Sequence, residues 1–258
     1  MPLSPEDRDE VRRIVADHSG GPFPPYPWPF VRRSTNLKAG SIATLLRSRV
    51  FSFDEFDGSV LDPRWVATVA GTGSVNMVNG YRGGIVRLRD SGAAGANDAE
   101  IANGLFLQAA GAGFPIWAAA VQHGVIAAAS GIRTQAGLRL AAVAFGGNGT
   151  YIGFAFDSAA VGANFLCWYA NAGAPTVFDT GVPVPLGGFT DLMMKWNPDG
   201  TVTFSIDGVP VHTTAVGATV PAAATRLEPY FAVDDGGLAA VGCNFDVDFY
   251  YLEQTREP

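Results

Sequence analysis

Residues 189–214, FTDLMMKWNPDGTVTFSIDGVPVHTT, decide the fold of this chain. Leu192 begins a series of apolar side chains at every second position that ends at Trp196, which is typical of a strand with one buried face. The sequence NPDG at 197–200 predicts a turn, because proline fixes φ and glycine accepts a conformation that a Cβ opposes. Alternation then resumes, and Asp-Gly at 207–208 is a strong hairpin signal. The stretch therefore predicts a three-stranded antiparallel meander with one face in the core.

The rest of the chain from Phe51 onward shows the same kind of pattern. Short strand-like segments lie about ten residues apart with turn signals between them, and no convincing helix pattern occurs. This spacing is typical of an antiparallel sandwich or jelly roll and not of an alternating α/β fold. A six-member apolar alternation marks the last strand: Val241, Cys243, Phe245, Val247, Phe249 and Tyr251.

Three segments resemble the laminin G-like, concanavalin A-like jelly-roll family. They are the meander of 189–214, the sequence FDEFDGSVLDPRW at 53–65, which is similar to the opening of these domains, and FDVDFYYLEQ at 245–254, which is similar to their closing strand. The resemblance implies an all-β fold, a concanavalin A-like antiparallel β-sandwich (jelly roll), over residues 51–258. The family contains lectins, glycosidases and inert structural modules, so the fold alone implies no activity.

Residues 1–50 are predicted to form an N-terminal anchoring arm. A helix is predicted over about 4–18, because the sequence Ser-Pro-Glu-Asp fits the N-cap and first turn of a helix. A Pro-rich extended segment follows at 20–30, and an acid-free basic run occupies 31–50. The aromatic side chains either pack over the β domain of the same chain or lie in a groove of another subunit, and both alternatives stay open. The predicted partner-binding residues are Val11, Ile14, Val15, Phe23, Tyr26, Trp28, Phe30, Arg32 and Arg33.

Composition excludes several classes of function. The 258 residues include 24 acidic and 17 basic side chains, for a net charge of −7. Residues 1–50 hold eight basic and five acidic side chains, which leaves nine against nineteen, or −10, for the rest. So acidic a domain is a poor nucleic-acid binder. No apolar run approaches the ~18 residues of a membrane span, and the charged N-terminus does not fit a signal peptide.

No enzymatic activity is predicted. A β-glucanase of this family needs two carboxylates about 5–5.5 Å apart, and the strand motif E-x-D-x-x-E that carries them in the family is absent. Of the seven glutamates, the only pairs close in sequence lie in the predicted N-terminal helix and in the C-terminal tail. The absence of the motif removes the nucleophile and the acid of that mechanism together.

A structural calcium ion is implied by the resemblance, between Asp57 of the opening segment and Asp248 of the closing strand. The favoured alternative is that Asp246 and Asp248 simply lie on the solvent face of that strand. No other cofactor is predicted. Cys167 and Cys243 are interpreted as small buried side chains in preference to a disulfide, and His123 as a polar residue at the end of a strand.

These observations favour a non-enzymatic structural or interaction protein of a bacteriophage virion. The chain would be a head decoration, head fibre or tail component that is made in the host cytoplasm and attached through its arm. Its predicted partners are other virion proteins (capsid or tail), copies of itself and a glycan of the host surface. The alternatives are a carbohydrate-binding, lectin-like module of a bacterial protein and a degenerate glycosidase. Two loops could serve a lectin site, at 79–81 and 234–237, although both are equally good turns.

Overall fold

The computed structural model describes residues 49–54, 56, 59–78, 84–90, 98–103, 107–108, 115–124, 131–141, 147–158, 164–222, 225–234 and 243–255. These residues contain sixteen β-strands and no helix, and so no helix long and apolar enough to cross a membrane. The first eight strands are β1 (Arg49–Asp54), β2 (Trp65–Val69), β3 (Ser74–Val78), β4 (Ile85–Arg89), β5 (Asp98–Asn103), β6 (Leu107–Gln108), β7 (Ile116–His123) and β8 (Arg133–Arg139). The others are β9 (Gly149–Asp157), β10 (Asn164–Gly173), β11 (Thr176–Pro183), β12 (Phe189–Trp196), β13 (Val202–Ile206), β14 (Val209–Thr213), β15 (Arg226–Asp234) and β16 (Asn244–Thr255).

The strands form two antiparallel sheets of eight strands each. Sheet 1 has the order β14-β13-β12-β7-β16-β4-β3, and β1 also pairs with β16. Sheet 2 has the order β11-β10-β9-β8-β15-β5-β2, and β6 also pairs with β15. The facing sides of the two sheets enclose one hydrophobic core, as expected for a β-sandwich. Large aromatic side chains from both sheets fill it, including Trp117, Phe154, Trp196, Phe204 and Phe231.

The predicted meander is confirmed as β12, β13 and β14. Leu192, Met194 and Trp196 are at most 2% exposed, so the predicted apolar face does lie in the core. Asp207 and Gly208 have φ values of 48° and 76°. Positive φ at both central residues is the geometry of a two-residue hairpin turn whose twist matches its strands.

The apolar alternation of the last strand is interrupted by a β-bulge in β16. The register with β7 shifts between Val247 and Phe249, so Asp248 is the extra residue. Before the bulge Val247 faces the core, and after it Tyr250 and Leu252 do, each at most 1% exposed. Phe249 therefore lies on the other side of the sheet from Val247, and the six-residue pattern does not describe one face.

His123 ends strand β7, as predicted, but its side chain is buried, which the sequence did not indicate. It is 2% exposed, and its Nε2 lies 2.8 Å from the hydroxyl oxygen of Thr134. Burial lowers the pKa of His123 to about 3, so the ring is neutral at ordinary pH. Its ring packs against Phe156, Phe165 and Phe245, with centroids 5.0–5.8 Å apart.

The two cysteines are free and buried, as predicted. Cys167 lies in β10 and Cys243 immediately precedes β16, and neither has exposed surface. Burial raises the pKa of both thiols, that of Cys243 to about 12. Both therefore act as small apolar side chains in the core.

Strand β1 starts at Arg49, two residues before the predicted start of the β domain. It pairs with β16 over its whole length, from Arg49 opposite Thr255 to Asp54 opposite Tyr250. The predicted arm helix, the Pro-rich segment and the basic run up to residue 48 lie outside the described residues. The anchoring arm stays a prediction.

Candidate functional site

The outer face of sheet 2, which points away from sheet 1, carries a cluster of charged and aromatic side chains. Strand β8 supplies its centre. Ala136 and Leu138 belong to the core between the sheets, so the alternating positions Gln135, Gly137 and Arg139 lie on the outer face. Neighbouring strands place further side chains beside them: Glu100 from β5, Glu228 and Tyr230 from β15, Tyr151 from β9 and Trp168 from β10.

Arg139 binds two carboxylates at once. Its Nη1 and Nη2 donate to the two carboxylate oxygens of Glu100 over 2.6 and 2.5 Å, and its Nε donates to Glu228 over 3.1 Å. Burial alone would lower the pKa of Arg139, but the hydrogen bonds to Glu100 and Glu228 outweigh this and raise it. The guanidinium therefore stays charged. We name these three residues the Arg139 cluster.

Tyr230 lies directly beneath the Arg139 cluster. The guanidinium carbon is 4.6 Å from the centre of its ring, a cation–π arrangement. Its hydroxyl donates to Oε1 of Gln135 over 3.0 Å. Burial raises the pKa of Tyr230 far above its ordinary value, so the phenol stays protonated and is unsuited to act as a general base.

Two glycines hold β8 and β9 unusually close under this face. Gly137 is directly opposite Gly153, and a Cβ added to Gly137 would lie 2.4 Å from the carbonyl oxygen of Ile152. The large rings of Tyr230 and Trp168 lie in the same cross-strand row, one on each side of the glycine pair.

The aromatic part of the face is filled by the protein itself. The rings of Tyr151 and Trp168 pack with centroids 4.4 Å apart, and both residues are at most 2% exposed. With Ala155, Leu166 and Ala170 they form a second buried cluster, separate from the main core. These rings support the polar groups and offer no open surface on which a sugar could stack.

A second arginine of β8 lies at the other end of the face. Arg133 is 3.6 Å from a carboxylate oxygen of Asp157 on β9 and 3.7 Å from one of Asp234 on β15. Asp234 is the first residue of the predicted loop 234–237, and here it ends a strand. The strand β8 thus carries an arginine beside two carboxylates near each of its ends, with Gln135 between them.

Most site residues proposed from the sequence lie outside the described part of the chain. This holds for Asp57, for the loop 79–81 and for all the partner-binding residues of the arm: Val11, Ile14, Val15, Phe23, Tyr26, Trp28, Phe30, Arg32 and Arg33. The calcium site of Asp57 and Asp248 therefore stays a prediction.

Asp248 is the bulge residue of β16, and its carboxylate interacts with that of Asp191 on the neighbouring part of sheet 1. Burial, followed by repulsion from Asp207 and Asp248, raises the pKa of Asp191 to about 6.

Across the described ranges, no group of three or more His, Cys, Asp or Glu side chains could hold a metal ion. Asp246 lies on the outer face of β16, as the alternative predicted, because Phe245 and Val247 face the core, but it is only 4% exposed and accepts two hydrogen bonds of 2.7 Å from Arg87.

The sequence did not indicate the Arg139 cluster, although it contained a partial signal. In RLEPYFAVD, at 226–234, Glu228 and Tyr230 alternate with apolar residues, which predicts an outward-facing pair. Nothing local predicts that Glu100, 128 positions earlier, meets the same guanidinium. The structure therefore brings together two glutamates that are far apart in the sequence.

No protein-family model and no curated protein matches this sequence. Solved structures do match its fold. An endo-β-1,4-glucuronan lyase from the fungus Trichoderma reesei aligns with a TM-score of 0.57 at 12% identity, over 79% of this chain and 94% of the lyase. Peanut lectin aligns with a TM-score of 0.56 at 12% identity, over 81% of this chain and 99% of the lectin. A glycoside hydrolase family 16 endo-glucanase from Bacteroides ovatus aligns with a TM-score of 0.53 at 12% identity, over 78% and 99%.

These neighbours confirm the predicted fold, an all-β concanavalin A-like jelly roll of two antiparallel sheets. They contradict the prediction that the chain is not an enzyme, because a lyase and a glucanase are among the proteins with this fold. The missing glucanase motif excludes one arrangement of catalytic residues and does not exclude catalysis. The neighbours are associated with glycans and give no support to a virion role.

Proposed function

We propose that this chain is a glycan-binding protein and that the Arg139 cluster with Gln135 forms its binding site. The observation that carries the proposal is a set of hydrogen-bonding side chains held rigidly on the outer face of one sheet. Glu100 and Glu228 each keep part of their side chain exposed, 21% and 16% respectively. Carboxylate oxygens accept hydrogen bonds from several donors, and sugar hydroxyls are such donors. That proteins of this fold include a lectin and glycan-acting enzymes supports the same assignment.

The fixed geometry of these groups favours binding over a purely structural role. Arg139 holds both carboxylates, Tyr230 supports Arg139, and the close glycine pair sets the distance between the strands. A site whose groups are already ordered loses little conformational entropy when a ligand binds. A surface ion pair that only stabilised the fold would need neither the buried tyrosine nor the glutamine beside it.

Binding to an array of immobilised oligosaccharides, followed by titration calorimetry on the positive members, tests the proposal. We expect Glu100→Gln and Glu228→Gln to weaken binding by about tenfold each, since a hydrogen bond to a charged group contributes about 1.5–3 kcal/mol. Asp191→Asn is the matched control, because it removes one carboxylate from the outer face of the opposite sheet. Unchanged affinity in both glutamine variants, with their melting temperatures retained, would overturn the assignment of the site.

A glycan-active enzyme is the second candidate, and the pairing of Glu100 with Glu228 on one guanidinium is the observation that favours it. Two carboxylates on one face are what a glycosidase uses, one as acid and one as nucleophile or base. Reducing-sugar release and the ultraviolet absorbance of an unsaturated product distinguish hydrolysis from elimination. Activity that is lost in Glu100→Gln and Glu228→Gln but kept in Asp191→Asn would establish this candidate.

The placement of the protein on a bacteriophage particle through residues 1–50 stays a prediction from the sequence. A glycan-binding domain would then serve adhesion to the host surface, with other virion proteins or further copies of this chain as the partners of the arm. Mass spectrometry of purified particles checks it, and absence of the chain from them would remove the virion role while leaving glycan binding untouched.

A further inference from the structure

The charges of the Arg139 cluster limit which glycans its surface attracts. One guanidinium meets two carboxylates, so the cluster carries one negative charge in excess. The side chain of Arg139 is only 4% exposed, whereas those of Glu100 and Glu228 are 21% and 16% exposed. An approaching ligand therefore meets carboxylate oxygens and not the guanidinium.

The donors of Arg139 are already directed into the protein. Nε, Nη1 and Nη2 each donate to a carboxylate oxygen of Glu100 or Glu228. The guanidinium therefore has no second pair of N–H groups with which to bind the carboxylate of an acidic sugar in a bidentate way. The whole chain adds to this effect with its net charge of −7. A polyuronide or sulfated glycan is repelled at this surface, most strongly at low ionic strength.

Gln135 supplies a complementary donor at the same place. It is 5% exposed, and its Oε1 accepts the hydrogen bond of Tyr230. Because Oε1 is occupied by Tyr230, the amide N–H groups are what Gln135 can offer to a ligand, and they would donate to an oxygen acceptor such as a sugar hydroxyl or ring oxygen.

We infer that the site selects glycans that carry hydroxyl and amino groups and no anionic groups. An amino-sugar polymer binds more tightly than its neutral counterpart, because protonated amines both donate to Glu100 and Glu228 and offset their charge. The inference rests on the proposed glycan-binding function and names the substrate class of that same site.

Three β-1,4-linked oligomers of equal length test it: glucosamine, glucose and glucuronic acid. Titration calorimetry is carried out with the full chain, in a buffer acidic enough to protonate the sugar amines. We expect the glucosamine oligomer to bind at least about tenfold more tightly than the glucose oligomer, and the glucuronic acid oligomer to bind most weakly. This preference decreases as salt is added and is lost in Glu100→Gln/Glu228→Gln, while Asp191→Asn retains it.

The possible failures are distinguishable. Equal or tighter binding of the glucuronic acid oligomer, still dependent on Glu100 and Glu228, overturns the inference and leaves the proposed function intact. A glucosamine preference that is the same in the double variant and in Asp191→Asn overturns the assignment of selectivity to this cluster. If none of the three oligomers binds, both the inference and glycan binding at this site are wrong.

Discussion

At the scale of single residues, Asp191 is a destabilising group at neutral pH. Its pKa is raised from 3.8 to about 6, so between these pH values the folded chain holds a proton that the unfolded chain has released, and above them the folded chain carries an unfavourable ionised carboxylate. Its contribution to stability is complete below pH 3.8 and is lost as the pH rises through 6. We expect Asp191→Asn to increase the free energy of unfolding by about 1–2 kcal/mol at pH 7, a value reduced for partial exposure, and to change it little near pH 4.

Urea denaturation at the two pH values measures this difference. Lys195→Gln, four residues after Asp191 in β12 and on the same outer face, is a suitable control for the loss of a charge at the surface. A lower stability of Asp191→Asn at pH 7 would show that the carboxylate has a favourable partner when ionised, and would contradict the prediction.

His123 has the opposite pH dependence. Its pKa is lowered from 6.5 to about 3 by burial, so between these values the unfolded chain binds a proton that the folded chain excludes. Stability from this residue is complete above pH 6.5 and decreases as the pH falls towards 3. In His123→Gln, which does not titrate, we expect the pH dependence of the unfolding free energy between pH 4 and 6 to change by up to about 1.4 kcal/mol per pH unit.

At the scale of secondary-structure elements, the contact between β8 and β9 depends on the absence of two Cβ atoms. Gly137→Ala would place a methyl group 2.4 Å from the carbonyl oxygen of Ile152 and 2.6 Å from Cα of Gly153. Backbone atoms cannot move aside as a flexible side chain can, so we expect a loss of about 1–3 kcal/mol, the usual cost of overpacking. Gly188→Ala has nothing within 4 Å of its added Cβ and is the matched control. Equal melting temperatures for the two variants would rule out a tight β8–β9 contact.

The elements that the sequence predicts best are those fixed by local contacts. The meander at 189–214 was predictable because its turns and alternation lie within one short stretch. The bulge at Asp248 was not predictable from the sequence of β16. It is defined by the shift in register between β16 and its neighbour β7, which lies more than a hundred residues earlier. The same limit applies to Glu100 and Glu228, whose meeting depends on the order of β5, β15 and β8 in the sheet. The position of His123 at a strand end was predicted, but its burial was not, because no local signal shows that a polar side chain at a strand end faces inward.

At the scale of the whole molecule, β1 shows where the folded unit starts. A chain that begins at Arg49 keeps all six pairs between β1 and β16, whereas one that begins at residue 51 loses the pairs of Arg49 and Val50. We expect residues 49–258 to unfold in one cooperative transition, and residues 51–258 to melt at a lower temperature. Calorimetry of both chains measures this. A broad, non-cooperative transition for residues 49–258 would show that the preceding residues are part of the core.

The pairing of β1 with β16 also decides how this domain can be joined to other proteins. Arg49 lies directly opposite Thr255, so the polypeptide enters and leaves the sandwich at neighbouring points of one sheet edge. A short linker between these two positions would therefore close the chain into a ring, and new ends could be opened at the hairpin of Asp207 and Gly208. For the same reason the domain can be inserted into an exposed loop of another protein. Both connections would then lie side by side at the edge of sheet 1 and leave the outer face of sheet 2 unobstructed.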